Sequence, residues 1–126
     1  TPVRYVNRTY PHATLTGFYR LSRIGLVTPL KDGMNLVAKE FVAAQDPEQP
    51  GALVLSIFAG AARELDGALL INPFDSDGVA DAIATALKMP VEARRDRWQS
   101  MMARIGDYDI HAWRRDFLQT LEATER

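Results

Sequence analysis

Apolar residues fall along this chain in short runs of strand length, separated by stretches of helical spacing. Ile24–Val27 and Ala52–Ser56 are almost wholly apolar, the pattern of parallel strands covered on both faces. Ala68–Ile71 is a third such run, closed by Asn72-Pro73, and Pro2–Val6 reads as a further short strand. Between them, Thr14–Ser22 carries Leu15, Phe18, Tyr19 and Leu21 at helical spacing. Asn35–Ala44 does the same, with Leu36, Val37, Phe41 and Ala44 on one side, and Gly60–Leu65 reads as a short helix or turn. Asp46-Pro47 and Pro50-Gly51 are turn signals. After residue 75 only helices are predicted. Ser76 is read as an N-cap with Asp77 in the first turn of a helix to about Lys88. Pro90 opens a helix over Glu92–Ile105, with Trp98, Met101, Met102 and Ile105 apolar. Asp107–Glu122 is the last, with Ile110, Trp113, Phe117, Leu118 and Leu121.

Strands alternating with helices predict an α/β fold with a mostly parallel sheet and right-handed crossovers. Residues 1–75 form the alternating portion and 76–126 a helical C-terminal tail. In such sheets a ligand lies beyond the carboxyl ends of the strands. Asp32-Gly33 follows the strand Ile24–Val27, so attention falls on residues 32–40, Asp-Gly-Met-Asn-Leu-Val-Ala-Lys-Glu.

Composition narrows the classes. The 126 residues are enough for one domain with a core. No apolar run is long enough to span a bilayer, and no secretory leader pattern opens the sequence. There is no cysteine, which removes disulfides, thiolate nucleophiles and Cys-based zinc sites and fits a cytoplasmic protein. Net charge is −1, which argues against a nucleic-acid binder. Charge is uneven, however: five basic residues and no acids precede Asp32, against ten basic and sixteen acidic residues from there on. A positive N-terminal quarter attracts a phosphate-bearing ligand, or is simply a solvated surface. The sequence starts at Thr1-Pro2 with no methionine, which reads as a processed or truncated chain.

A helix starting near Asn35 leaves its first N–H groups without intrahelical partners, at the positive end of its dipole. The amides of Met34, Asn35, Leu36 and Val37 would then seat a diphosphate. Gly33 lets a ligand approach the backbone. Asp32 can accept from adjacent sugar hydroxyls, and Glu40, one turn beyond Leu36, from a ribose. On spacing alone the plainer reading carries more weight: Asp32 caps a helix, Gly33 makes a turn and Glu40 is a surface charge.

The stretch Thr28-Pro-Leu-Lys-Asp-Gly-Met-Asn-Leu-Val-Ala-Lys-Glu-Phe-Val-Ala-Ala-Gln-Asp46 resembles the donor-site signature of the retaining trehalose-6-phosphate synthases. Tyr5-Val-Asn-Arg8 lies upstream at the matching distance. Leu53-Val-Leu-Ser-Ile-Phe-Ala-Gly-Ala-Ala62, Leu70-Ile-Asn-Pro-Phe-Asp75 and Asp109-Ile-His-Ala-Trp113 follow in order. The resemblance covers essentially the whole chain. It implies part of the Rossmann-like C-terminal domain of a GT-B glycosyltransferase, one that moves glucose from UDP-glucose to glucose 6-phosphate with retention. It implies that Asp32, Gly33, Met34 and Asn35 hold the donor sugar. Leu36, Val37, Ala38, Lys39 and Glu40 would hold the diphosphate and nucleotide, with Tyr10 near the uracil. Tyr10 stands where family members often carry Phe, and Lys31 where they often carry Arg, which changes the fork geometry.

By the same resemblance, the donor-phosphate Arg and Lys and the acceptor domain lie upstream of Thr1, so the isolated chain would be inactive. No carboxylate pair forms a nucleophile-and-acid couple, which suits a front-face mechanism of positioning and charge neutralisation. No cofactor or metal is expected, and no nucleic-acid or membrane partner. The last helix resembles the segment that crosses to the first domain, and its uncovered apolar face would favour self-association. A glucosylglycerol-phosphate synthase-like enzyme, a pseudo-glycosyltransferase, or a non-catalytic nucleotide-binding or self-associating module are the alternatives. His12 and His111 lack metal-ligand company and read as surface or capping residues. Trp98, Trp113, Met101 and Met102 read as packing residues, and Arg94-Arg95-Asp96-Arg97 as a solvated helix face. Gly60 allows close approach, of either a ligand or a packed neighbour.

Overall fold

The computed structural model describes residues 2–124. Helix α1 (His12–Leu21) leads to strand β1 (Ile24–Val27), helix α2 (Leu36–Ala44) and strand β2 (Ala52–Ser56). A 3-10 turn (Gly60–Arg63) precedes strand β3 (Leu69–Ile71). Helices α3 (Ser76–Lys88), α4 (Val91–Asp107) and α5 (Ile110–Thr124) follow. The sheet is three-stranded, parallel and ordered β1-β2-β3. Ile24 is opposite Ala52 and Val54 opposite Leu69.

The period-2 alternation of β2 divides the core. Leu53 and Leu55 pack with Ala38, Phe41 and Val42 of α2 and Met101 of α4. Ala52 and Val54 face Ile71 and, on α3, Ala86. All five residues of β2 are buried, as the apolar run predicts for a central strand. Gly25 permits α2 to lie on β1, since a Cβ there would stand 2.8 Å from the Phe41 ring.

Several expectations are corrected. Residues 2–6 form no strand, and Val3, Tyr5 and Val6 are exposed. An extended segment is not stable without a partner for its backbone groups, and among the described residues β1 pairs only with β2. The buried residues of α2 and its cap are Ala38, Phe41, Val42, Ala44 and Gln45, so Phe41 and Ala44 pack as expected, whereas Leu36 and Val37 are exposed. Those two occupy the first turn, beyond the end of the sheet. Asp75, not Ser76, caps α3, its carboxylate accepting from the Gly78 N–H at 3.0 Å. Helix α4 runs to Asp107, and α5 begins only after Asp109, which accepts from the Ala112 N–H at 2.9 Å.

In the run Arg94–Arg97 only Asp96 is a plainly solvated position. Arg94 is buried and donates to the Pro50 carbonyl at 2.7 Å. Burial, then the charges of Arg23 and Arg95, lower its pKa. Arg95 donates to the Glu48 carbonyl and Arg97 to that of Gly67. These arginines cap loop carbonyls that the sheet leaves unpaired. Trp98 packs as expected, its indole N–H donating to the Val42 carbonyl at 2.9 Å. Trp113 does not reach the core. It is 45% exposed and stacks on Phe117 at 5.3 Å.

Candidate functional site

The loop between β1 and α2 lies at the carboxyl edge of the sheet, and its shape follows from two short side chains. Asp32 accepts from the Gly33 N–H through one carboxylate oxygen, at 2.8 Å. Its other oxygen accepts from the Asn35 amide nitrogen at 2.6 Å. Asn35 turns its own side-chain oxygen to the Ala38 N–H at 3.0 Å, so Asn35, not Asp32, caps α2. Asn35 has φ 66°, in the left-handed region, and is the one non-glycine residue with positive φ among those described. Gly33 does not use positive φ, and a Cβ there would meet nothing within 4 Å. The left-handed step of this loop falls on Asn35, which tolerates that region better than most residues.

The cap leaves the N–H groups of Leu36 and Val37 without a protein acceptor among the described residues. Both lie at the positive end of the α2 dipole. Ala38, by contrast, is fully buried and its N–H is taken by Asn35. Asp32 is exposed and each of its oxygens keeps an acceptor site beyond the bond already made. Glu40 is half-buried on α2 and makes no side-chain hydrogen bond or ion pair among the described residues.

A second loop, after β2, supports the first. The Gly60 N–H donates to the Gly33 carbonyl at 2.6 Å, and the Ala61 N–H to the Met34 carbonyl at 2.8 Å. A Cβ on Gly60 would stand 2.9 Å from the Gly33 oxygen and 3.2 Å from the Met34 Cα. The close approach read from Gly60 is therefore to the loop that carries Gly33 and Met34. Lys39 donates to Glu64 at 2.6 Å, with the two side chains only 19% and 13% exposed. Glu64 and the Gly60–Ala61 amides are contributions that the sequence reading missed, since they depend on a contact between loops some 27 residues apart. The only local signal was Gly60 within Phe-Ala-Gly-Ala-Ala.

Asp32, Met34, Phe58, Gly60 and Arg63 line an open cleft of about 590 Å³ at this edge, bordered by Tyr108 and Trp113. Beside it lies an apolar cavity of about 580 Å³, bounded by Met34, Leu36, Lys39, Ile105, Tyr108 and Trp113. Tyr10 lines neither of them. Its ring meets Phe18 edge-on at 5.2 Å and carries the Arg8 guanidinium 4.6 Å from its centre. Among the described residues no three His, Asp or Glu side chains converge to hold a metal ion, and no helix is long and apolar enough to cross a membrane.

Residues 1–123 match the model of glycosyltransferase family 20. The chain is 58% identical to a trehalose-6-phosphate synthase of Sinorhizobium fredii over 123 residues, which is 98% of this chain and 26% of that protein. An α,α-trehalose-phosphate synthase (UDP-forming) of Burkholderia xenovorans, solved in complex with glucose-6-phosphate, superposes with a TM-score of 0.91. It is 52% identical, over 97% of this chain and 27% of that one. An E. coli structure named as trehalose-6-phosphate bound with UDP-2-fluoro glucose gives a TM-score of 0.90 at 51% identity, over 96% of this chain and 27% of that one. The chain thus spans about a quarter of the length of the curated relatives it matches.

Proposed function

Because the chain belongs to glycosyltransferase family 20, we propose that it supplies the donor-binding part of a retaining glycosyltransferase. The donor in this reading is UDP-glucose and the acceptor glucose 6-phosphate, giving trehalose 6-phosphate and UDP. The observation that carries it is the left-handed Asn35, pinned to Asp32, which leaves the Leu36 and Val37 amides free at the carboxyl edge of the sheet. The relatives solved with glucose-6-phosphate and with UDP-2-fluoro glucose support the substrate pair.

In this scheme Asp32 accepts from donor-glucose hydroxyls, and the backbone of Gly33, Met34 and Asn35 borders the same sugar. The Leu36 and Val37 amides receive the diphosphate, Glu40 the ribose hydroxyls, and Tyr10 lies toward the base. The acceptor hydroxyl attacks the anomeric carbon on the face that UDP leaves. The bond from that carbon to the β-phosphate oxygen breaks, and the departing phosphate takes the acceptor's proton. Protein groups then act by positioning and by neutralising charge, so neither Asp32 nor Glu40 is a base. No metal or cofactor is required by this chemistry. Residues 1–75 would hold the donor groups and 76–126 would form the helical tail.

Calorimetric titration with UDP-glucose and with UDP tests the reading. Saturable binding of both is expected. Asp32→Ala should weaken UDP-glucose far more than UDP, by roughly tenfold or more for the lost sugar contacts. Glu40→Gln should weaken both ligands. Equal affinity of wild type and Asp32→Ala for UDP-glucose would remove Asp32 from the sugar site.

A further inference from the structure

We propose that the segment Gly60–Glu64 is a brace that fixes the donor loop, and that Lys39 is a positioning residue within it rather than a ligand of the diphosphate. The inference rests on the donor reading above for its functional consequence and on the ligand-free geometry for its structure.

The loop 32–35 has no regular secondary structure, yet its amides and carbonyls are directed. Two backbone bonds from Gly60 and Ala61 hold the Gly33 and Met34 carbonyls, at 2.6 and 2.8 Å. Gly60 is required for that approach, because any Cβ would press on the Gly33 oxygen and the Met34 Cα. With those carbonyls turned toward the brace, the chain reverses through the left-handed Asn35 and enters α2. The Lys39–Glu64 pair is the third tie, one turn into α2. It joins the helix that would seat the diphosphate to the end of the brace.

Lys39 is poorly placed to be a ligand. Its ammonium is already in a short ion pair that is mostly shielded from water, where a charge strongly resists losing its partner. It borders the apolar cavity between α2 and the α4–α5 junction, not the cleft that contains Asp32. Glu64 borders both, so it stands between Lys39 and the Asp32 side.

The two roles of Lys39 predict opposite signs at Glu64. If Lys39 positions the loop, Glu64→Gln loosens it and UDP affinity falls, by about tenfold. If Lys39 is a diphosphate ligand, Glu64→Gln releases its ammonium and UDP affinity rises. Lys39→Met weakens UDP on either view. The charge-exchanged pair Lys39→Glu with Glu64→Lys should recover affinity only under the positioning role. Gly60→Ala should likewise weaken UDP. Hydrogen–deuterium exchange of the ligand-free protein gives an independent readout: Glu64→Gln and Gly60→Ala should speed exchange of peptides covering 32–38 and 57–64 and spare β2. Higher UDP affinity in Glu64→Gln, or unchanged exchange in those peptides, overturns the proposal. If Glu64→Gln does not fold, the apolar double replacement Lys39→Met with Glu64→Met keeps the exchange test. A wild type that binds no UDP would defeat the donor reading, and the exchange result would still decide the brace.

Discussion

At the scale of single residues, Asn35 does the most. Its backbone is left-handed, its side-chain oxygen caps α2 at Ala38, and its amide nitrogen ties it to Asp32. These duties separate by substitution. Asn35→Gly keeps the backbone easy and loses the cap, which costs a few tenths of a kcal/mol. Asn35→Ala loses the cap and also leaves the left-handed backbone to a residue without asparagine's tolerance of that region, together about 2 kcal/mol. Urea unfolding should therefore rank the proteins wild type, then Gly, then Ala. Equal stability of the Gly and Ala variants would mean that the backbone conformation contributes nothing. A helix start just beyond a strand was legible in the Asp-Gly-Met-Asn order. Which residue caps the helix was not, because Asp32 and Asn35 are both good caps and only the fold chooses between them. Arg94 was misread for the same reason: nothing beside it in sequence tells of Pro50, 44 residues away.

At the scale of elements, boundaries were legible where local chemistry sets them. β1 and β2 have the predicted limits because each is an apolar run closed by a turn or a polar residue. The strand expected over 2–6 failed because pairing is not a local property. The α4–α5 junction moved because Asp109 is the cap that starts α5, and two acids two residues apart compete for that role in sequence. That junction is expected to respond to pH from both sides. The N–H of Ala112, with smaller charge effects from His111 and Arg115, lowers the Asp109 pKa below 3.8. A lowered carboxyl contributes stability above its unfolded value, which is lost as the pH falls through the folded one. Tyr108 is raised above 10.0, first by donating its hydroxyl hydrogen bond to Asp116. That contribution is present below the unfolded value and lost as the pH rises through the raised one. Docking of the start of α5 should thus hold between these limits and weaken beyond each. Trp113 fluorescence against pH would follow it. Tyr108→Phe should abolish the alkaline change and leave the acid one, and an alkaline change that persists in Tyr108→Phe would assign it elsewhere.

At the scale of the whole molecule, the covering of the sheet and the covering of α5 contrast sharply. Strand β2 is buried on both faces, but α5 buries only Ala112. Ile110, Trp113, Phe117, Leu118 and Leu121 are each 45% exposed or more. Residues 110, 113, 117 and 121 recur at three- and four-residue intervals, so they share one face of the helix. A continuous apolar stripe of this kind is unusual on an isolated protein and marks a contact surface. The helical pattern was visible in sequence; that no described element covers it was not, since an amphipathic period reports an apolar face and never its partner. The relatives of known structure are nearly four times longer, which leaves room for a covering layer in those proteins. The 126-residue chain by itself is therefore expected to self-associate through α5. Light scattering across a concentration series should show mass rising above 14.1 kDa. Replacing Trp113 and Phe117 together by Ser should return it to the monomer, because both rings are largely outside the core and their loss leaves the sheet packing intact. A wild-type chain that stays monomeric at high concentration would show that α5 folds back on its own domain in solution. Urea unfolding would then expose the consequence: the Trp113→Ser, Phe117→Ser protein would be measurably less stable than the wild type, whereas equal stability is expected if the stripe awaits a partner.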